Sequence, residues 1–191
     1  MVDELGRRGH GVAALVRDPG RAALPSWVSV LGGEARGPLG SLLVGADAVV
    51  SALGPTGRDA TLHHDVAAAL VTAMTAAGVH RFVGVSGAGI DVPGDAKSRR
   101  DRVVSALMGR FGGAMVADKA AEYEVWASSG LDWTLVRPPR LADGPGVGRV
   151  EHDAHSSPRT TVVSRVDLAS FLVDCVEQRA YVGAAPLVGR G

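Results

Sequence analysis

The chain has 191 residues, 46% hydrophobic and 21% charged, which is the make-up of a globular protein and excludes a disordered or fibrous one. Its 20 Lys and Arg balance 20 Asp and Glu, so no excess positive field exists to attract a nucleic acid, and no apolar run approaches the ~20 residues that span a bilayer. The length suits one domain over residues 1–191; the lone Cys175 excludes an internal disulfide and fits a reducing cytoplasm, and no basic-then-apolar leader opens the chain.

Residues 1–19 read as a helix, a glycine stop and a buried strand over 12–16. That is the second half of a β-α-β nucleotide-binding unit. A first strand and a glycine-rich phosphate loop, about 15–20 residues, are expected just upstream. Strands follow at 27–31 and 47–53. The clearest helix lies near 61–77, where Leu62, Val66, Leu70 and Met74 recur every four residues beside Ala69, Ala73 and Ala77. A strand over 82–85 comes next, then a loop over 87–97. Arg99, Arg100 and Arg102 interleave with Asp95 and Asp101 and read as a solvated face. A helix carries Asp118 to Trp126, and a strand ends near Val136. The stretch 138–160 is rich in Pro, Gly, Asp and His and reads as a second long loop. The last helix, near 165–177, opens on Ser164 with Asp167 three residues on, an imperfect capping box. Cys175 sits in its apolar pattern and reads as core.

Three segments share one grammar, a helix, a glycine and a β-rich run: residues 7–16, 76–85 and 128–136. Such alternation argues for an α/β fold with a parallel sheet covered on both faces. Both long loops leave strand ends, where open α/β sheets hold their ligands.

Arg17 follows a strand at the point where an acid would hold a ribose 2′-hydroxyl and an arginine a 2′-phosphate. It also fits a surface turn, and Asp18 is a competing cue for NAD. Residues 51–55, Ser-Ala-Leu-Gly-Pro, end a buried strand with small side chains that let ribose and phosphates approach, or simply make a turn. Ser86 stands at another strand tip, where it could bond a nicotinamide amide or a substrate carbonyl, or be an incidental loop serine. Lys119 alone reads as a solvated helical lysine. Tyr123 lacks the lysine four residues on that the dehydrogenase Tyr-x-x-x-Lys pair requires, since 127 is Ala. His63-His64 and His152-Asp-Ala-His155 lack a completing ligand set, so no metal is expected.

Five pieces in order carry a resemblance: 15–19 (LVRDP), 45–54 (GADAVVSALG), 77–86 (AGVHRFVGVS), 129–139 (SGLDWTLVRPP) and 163–172 (VSRVDLASFL). The chain resembles the NAD(P)H-binding, NmrA-like branch of the atypical short-chain dehydrogenases/reductases, and its motif order is similar to the biliverdin reductase B, or flavin reductase, group. The resemblance implies a Rossmann-like, doubly wound parallel sheet in three αβα layers, here without the first strand and glycine-rich loop. It implies NADP(H) rather than NAD(H). By position, Arg17 would meet the 2′-phosphate and Ala52, Leu53 and Gly54 would line the cofactor. Ser86 and Lys119 would border the nicotinamide ribose as candidate catalytic residues, and Pro138 and Pro139 the ring. The expected activity is reduction of a flavin, quinone or similar planar small-molecule acceptor. The other reading is a non-catalytic NAD(P)H-binding redox-sensing regulator.

Overall fold

The computed structural model describes residues 1–54, 59–111 and 113–191. In chain order it contains α1 (Val2–Arg7), β1 (Ala13–Val16), β2 (Ser29–Gly32), β3 (Ala48–Ser51), α2 (Leu62–Ala77), β4 (Arg81–Val85), α3 (Arg99–Phe111), α4 (Gly113–Ala127) and β5 (Asp132–Val136). There follow β6 (Arg140–Ala142), β7 (Val150–Asp153), β8 (Val162–Ser164), α5 (Arg165–Glu177) and β9 (Leu187–Arg190). The architecture is α/β and Rossmann-like: β1 pairs β2 in parallel, and β3, β4 and β5 form a second parallel group in that order. Bridges from Thr134 to Ala184 and from Arg137 to Leu187 carry the second group on toward β9.

The period of two along the central strands makes the three layers. On β4, Phe82 joins the cluster under α2 and α4, and Val83 joins the one under α5. On β5, Leu135 and Val136 divide in the same way. Leu70 and Met74 of α2 and Trp126 of α4 fill the first face. Phe171, Leu172 and Cys175 of α5 fill the second, so the cysteine is core as expected. The Trp126 ring stacks on Phe82 at 3.6 Å and 15°.

The three expected helix stops are all present. Gly9, Gly78 and Gly130 take φ of 84°, 69° and 70°, a left-handed turn that only glycine adopts freely. The capping box is half formed. Ser164 Oγ accepts from the Asp167 N–H at 2.9 Å, but Asp167 accepts from the Ser164 hydroxyl and from the backbone N–H groups of Val147 and Gly148, not from the Ser164 N–H.

Two expectations need correction. The second strand starts at Ser29 rather than 27, because Val28 is drawn into a turn by its N–H bonding Pro25 O. The stretch 138–160 is no plain loop: it holds β6, which pairs β8, and β7, which pairs β9 antiparallel. Among the described residues β1 and β3 share no ladder, so the two parallel groups are separate, as expected of a sheet without its first strand.

Candidate active site

Because β3, β4 and β5 are parallel, their C-terminal ends leave the same edge of the sheet. The turns that follow carry Ala52 to Gly54, Ser86 to Ile90 and Pro138 to Leu141 to one cleft of about 950 Å³. That is the size of a cofactor or ligand site, roughly 300–1,000 Å³, at the place where open α/β sheets bind ligands. Met115 and Val116 of α4 and Leu168 and Leu172 of α5 make its walls apolar.

Two charged anchors hold the 87–97 loop against the cleft. Lys97 Nζ, 2% exposed, donates to Ala88 O (3.0 Å), Ile90 O (2.5 Å), Asp91 Oδ1 (2.7 Å) and Ser105 Oγ (3.0 Å). Arg137, wholly buried, forks onto Asp95 at 2.6 and 2.7 Å and donates to Ala185 O at 2.7 Å. Each buried charge meets a partner, as the cost of desolvation demands. The loop is therefore a fixed wall.

Of the residues singled out in the sequence, Ala52, Leu53, Gly54, Ser86, Lys119, Pro138 and Pro139 all line this cleft. The neighbouring Pro55 lies outside the described residues. Arg17 does not line it. It follows β1 directly, two-thirds exposed, facing Glu34 at 3.5 Å. Tyr123 is also outside the lining and meets the Trp133 ring edge-on at 5.7 Å.

Lys119 is not the solvated lysine that its isolated position suggests. Its side chain is 11% exposed and its Nζ donates to Val85 O at 3.0 Å and Glu122 Oε2 at 3.1 Å. Burial pulls its pKa down, against the pull of the Glu122 charge. Burial likewise pushes the Glu122 carboxyl up to about 7, opposed by Lys119. Ser86 Oγ is buried with no hydrogen-bond partner among the described residues.

The sequence reading passed over Glu122 and Asp118. Asp118 is 3% exposed and caps α2 from outside. It accepts the backbone N–H of His63 (2.8 Å) and His64 (2.9 Å) and pairs with His63 Nδ1 (2.8 Å). This replaces the missing Thr61 side-chain cap and locks α2 to α4. The signal was present: Asp118, Glu122 and Trp126 share one helical stripe, and two carboxylates on a stripe that reaches an indole must be buried for a reason. His63 thus has its own partner, and His152 bonds Tyr181 OH at 2.7 Å. Among the described residues no three His, Cys, Asp or Glu side chains are grouped to hold a metal.

Solved structures share this fold. A "putative exported protein" of Burkholderia pseudomallei is 30% identical with a TM-score of 0.76, covering 98% of this chain and 91% of its own. A short-chain dehydrogenase/reductase of Veillonella parvula, solved with NADP, is 18% identical with a TM-score of 0.80, covering 99% and 87%. ChuY, an anaerobilin reductase of Escherichia coli O157:H7, is 18% identical with a TM-score of 0.77, covering 98% and 88%. The latter two likenesses are of fold. The sequence model of the NAD(P)H-binding family runs through residues 1–179, spanning both β1 and the strand tips that build the cleft, and this chain belongs to that family.

Proposed function

We propose that the protein is an NADPH-dependent reductase of a flat, apolar acceptor such as a flavin or a quinone. The observation that carries this reading is the convergence of seven expected residues on one apolar cleft at the ends of β3, β4 and β5. The cleft residues fit a nicotinamide cofactor. Ala52 and Gly54 are small enough for close approach, and the unpartnered Ser86 hydroxyl offers an unused bond inside the cleft. When bound, such a cofactor supplies the hydride. The chain supplies the rest. Pro138, Pro139 and Leu141 exclude water and favour an aromatic acceptor, and Lys119 fixes positive charge beside the cleft.

Arg17 is our choice for the 2′-phosphate. Its only ion-pair partner among the described residues is Glu34, and a pair this exposed holds it weakly. The break between β1 and β3 fits a further parallel strand ending in a glycine-rich turn, which would complete the pyrophosphate site. A free Cys175 suits a reducing compartment.

The test is NADPH oxidation with free flavin or a small quinone as acceptor. Arg17→Ala should weaken NADPH by about 1.5–3 kcal/mol, roughly tenfold or more, and leave NADH unchanged. Equal loss for both cofactors refutes the role of Arg17. Tight NADPH binding without turnover across flavins and quinones refutes the reductase reading in favour of a cofactor-sensing one.

A further inference from the structure

Four of the ten large apolar side chains that stand exposed among the described residues fall together: Val103, Val104 and Leu107 on α3 and Met115 in the first turn of α4. Helical spacing says which way they point. Ser105, buried, ties α3 to the body of the protein: its hydroxyl accepts from Lys97 Nζ at 3.0 Å and donates to Ala88 O at 3.4 Å. With about 3.6 residues per turn, positions two before and two after Ser105 stand on the opposite side of the helix. Those are Val103 and Leu107, and neither lines the cleft. Val104 and Met115 do line it, while remaining 47% and 44% exposed, so they stand at its mouth. The apolar lining of the cleft therefore continues over its rim onto the outer face of α3. A contiguous exposed patch of this kind marks a docking surface, whereas scattered apolar residues do not.

The same helix is basic. Arg99, Arg100, Arg102 and Arg110 are all exposed, against the single acid Asp101. Asp101 pairs with Arg100 at 2.9 Å, and Arg99 and Arg102 form no ion pair among the described residues. The acids that precede them in the chain are engaged elsewhere: Asp95 is turned onto Arg137 and Asp91 onto Lys97. The arginines that look interleaved with acids in sequence are thus left uncompensated in space. Arg102 and Arg110 share a row that runs beside Val103 and Leu107, and Arg99 precedes that pair on its own row. An apolar strip edged by arginines is the pattern of a helix that lies in a lipid headgroup layer, its arginine stems along the apolar surface and their heads on phosphate. A two-fold contact with a second copy of this face would set the arginines against one another.

We propose that α3 seats the protein on an anionic lipid surface, with the mouth of the cleft opening at that surface. The guanidinium forks of Arg99 and Arg102 meet lipid phosphates, and Val103 and Leu107 enter the headgroup boundary. Resting on the reductase reading above, the acceptor is a quinone or similar ring dissolved in the lipid. Its apolar tail crosses Val104 and Met115 as the ring enters the cleft. The helix lies on the bilayer, and among the described residues no helix is long and apolar enough to cross one. One short helix on a chain of zero net charge gives a reversible, salt-sensitive attachment.

Vesicle flotation of the full chain reads the docking without any turnover. The protein should float with vesicles of phosphatidylcholine and phosphatidylglycerol in equal parts, stay behind with phosphatidylcholine alone, and detach in high salt. Arg99→Gln with Arg102→Gln should weaken attachment about tenfold or more, and Val103→Gln with Leu107→Gln should abolish it. All four side chains are exposed, so both variants should keep the circular dichroism of the wild type. None of the four lines the cleft, so NADPH oxidation with a small soluble quinone should be unchanged. Turnover of a long-tailed quinone held in the mixed vesicles should fall with attachment. No flotation with the mixed vesicles, equal flotation with phosphatidylcholine alone, or variants that float like the wild type overturn the proposal. A protein that does not float but forms a dimer, dissolved by Val103→Gln with Leu107→Gln, assigns the face to a second copy and overturns it too. If the chain floats as described but reduces no acceptor, the reductase reading fails and the docking stands. If it reduces the soluble quinone but does not float, the docking alone is refuted.

Discussion

Replacing Asp118 by alanine strips three donors of one acceptor. The His63 and His64 backbone N–H groups and His63 Nδ1 all lie 2.8–2.9 Å from its oxygens, in a site with 3% exposure. A hydrogen bond to a charged group contributes about 1.5–3 kcal/mol net, and neighbouring bonds do not add fully. Loss of a helix cap alone costs about 0.5–2 kcal/mol. The expected loss for Asp118→Ala is therefore about 3–5 kcal/mol, a large part of a total of about 5–15 kcal/mol. Asp118→Asn keeps one carbonyl oxygen and should lose roughly half of that. Equilibrium urea unfolding followed by circular dichroism measures both variants. The sign with pH is also fixed. Burial raises the Asp118 carboxyl, but the N–H groups of His64 and His63 outweigh it and hold the pKa below the ordinary value. A depressed folded pKa gives stability that is fully present above the unfolded value near pH ~3.9 and is lost as pH falls through the folded one. The difference between wild type and Asp118→Asn should thus stay constant from neutrality to about pH 5 and shrink below about pH 4. A loss under about 1 kcal/mol for Asp118→Ala, or a difference that grows on acidification, would refute the capping role.

Other substitutions probe the core and the strand faces. Trp126→Ala should cost about 3–5 kcal/mol by opening a cavity beside Phe82, whereas Trp126→Phe should cost under about 1.5 kcal/mol, because the buried Nε1–H it removes has no partner. Calorimetry that found the two equal would contradict the packing described. Gly84→Ala would bring a methyl within 2.7 Å of the Phe82 ring, which the Trp126 stack keeps from moving, and should cost about 1–3 kcal/mol in denaturant melts. The Cys175 thiol is fully buried and pushed up to about 12 by that burial, so a thiol reagent should label it only at the rate of unfolding. Prompt labelling of the native protein would mean that α5 is not docked as described.

The sequence alone determined the local structure and much of the site. A four-residue stripe can bury one side only as a helix, and α2 runs from Leu62 to Ala77 as the stripe predicts. Glycine alone enters the left-handed turn cheaply, so the helix stops at Gly9, Gly78 and Gly130 were legible from residue type. Ala52, Leu53, Gly54 and Ser86 could be named because each follows a strand, and parallel strands bring their ends to one edge of the sheet, while Pro138 and Pro139 were named by the family resemblance. Tertiary structure alone decided what depends on distant partners. Nothing near residues 140–153 in the chain reveals β6 and β7, because their pairing partners lie at 162–164 and 187–190. Spacing along α4 could not tell that Lys119 is buried, that Asp118 would close the first turn of α2, or that Glu122 would be buried against Lys119. A charge costs little on a solvated face and several kcal/mol inside, and which of these applies is settled only when the sheet and α2 fold over the helix.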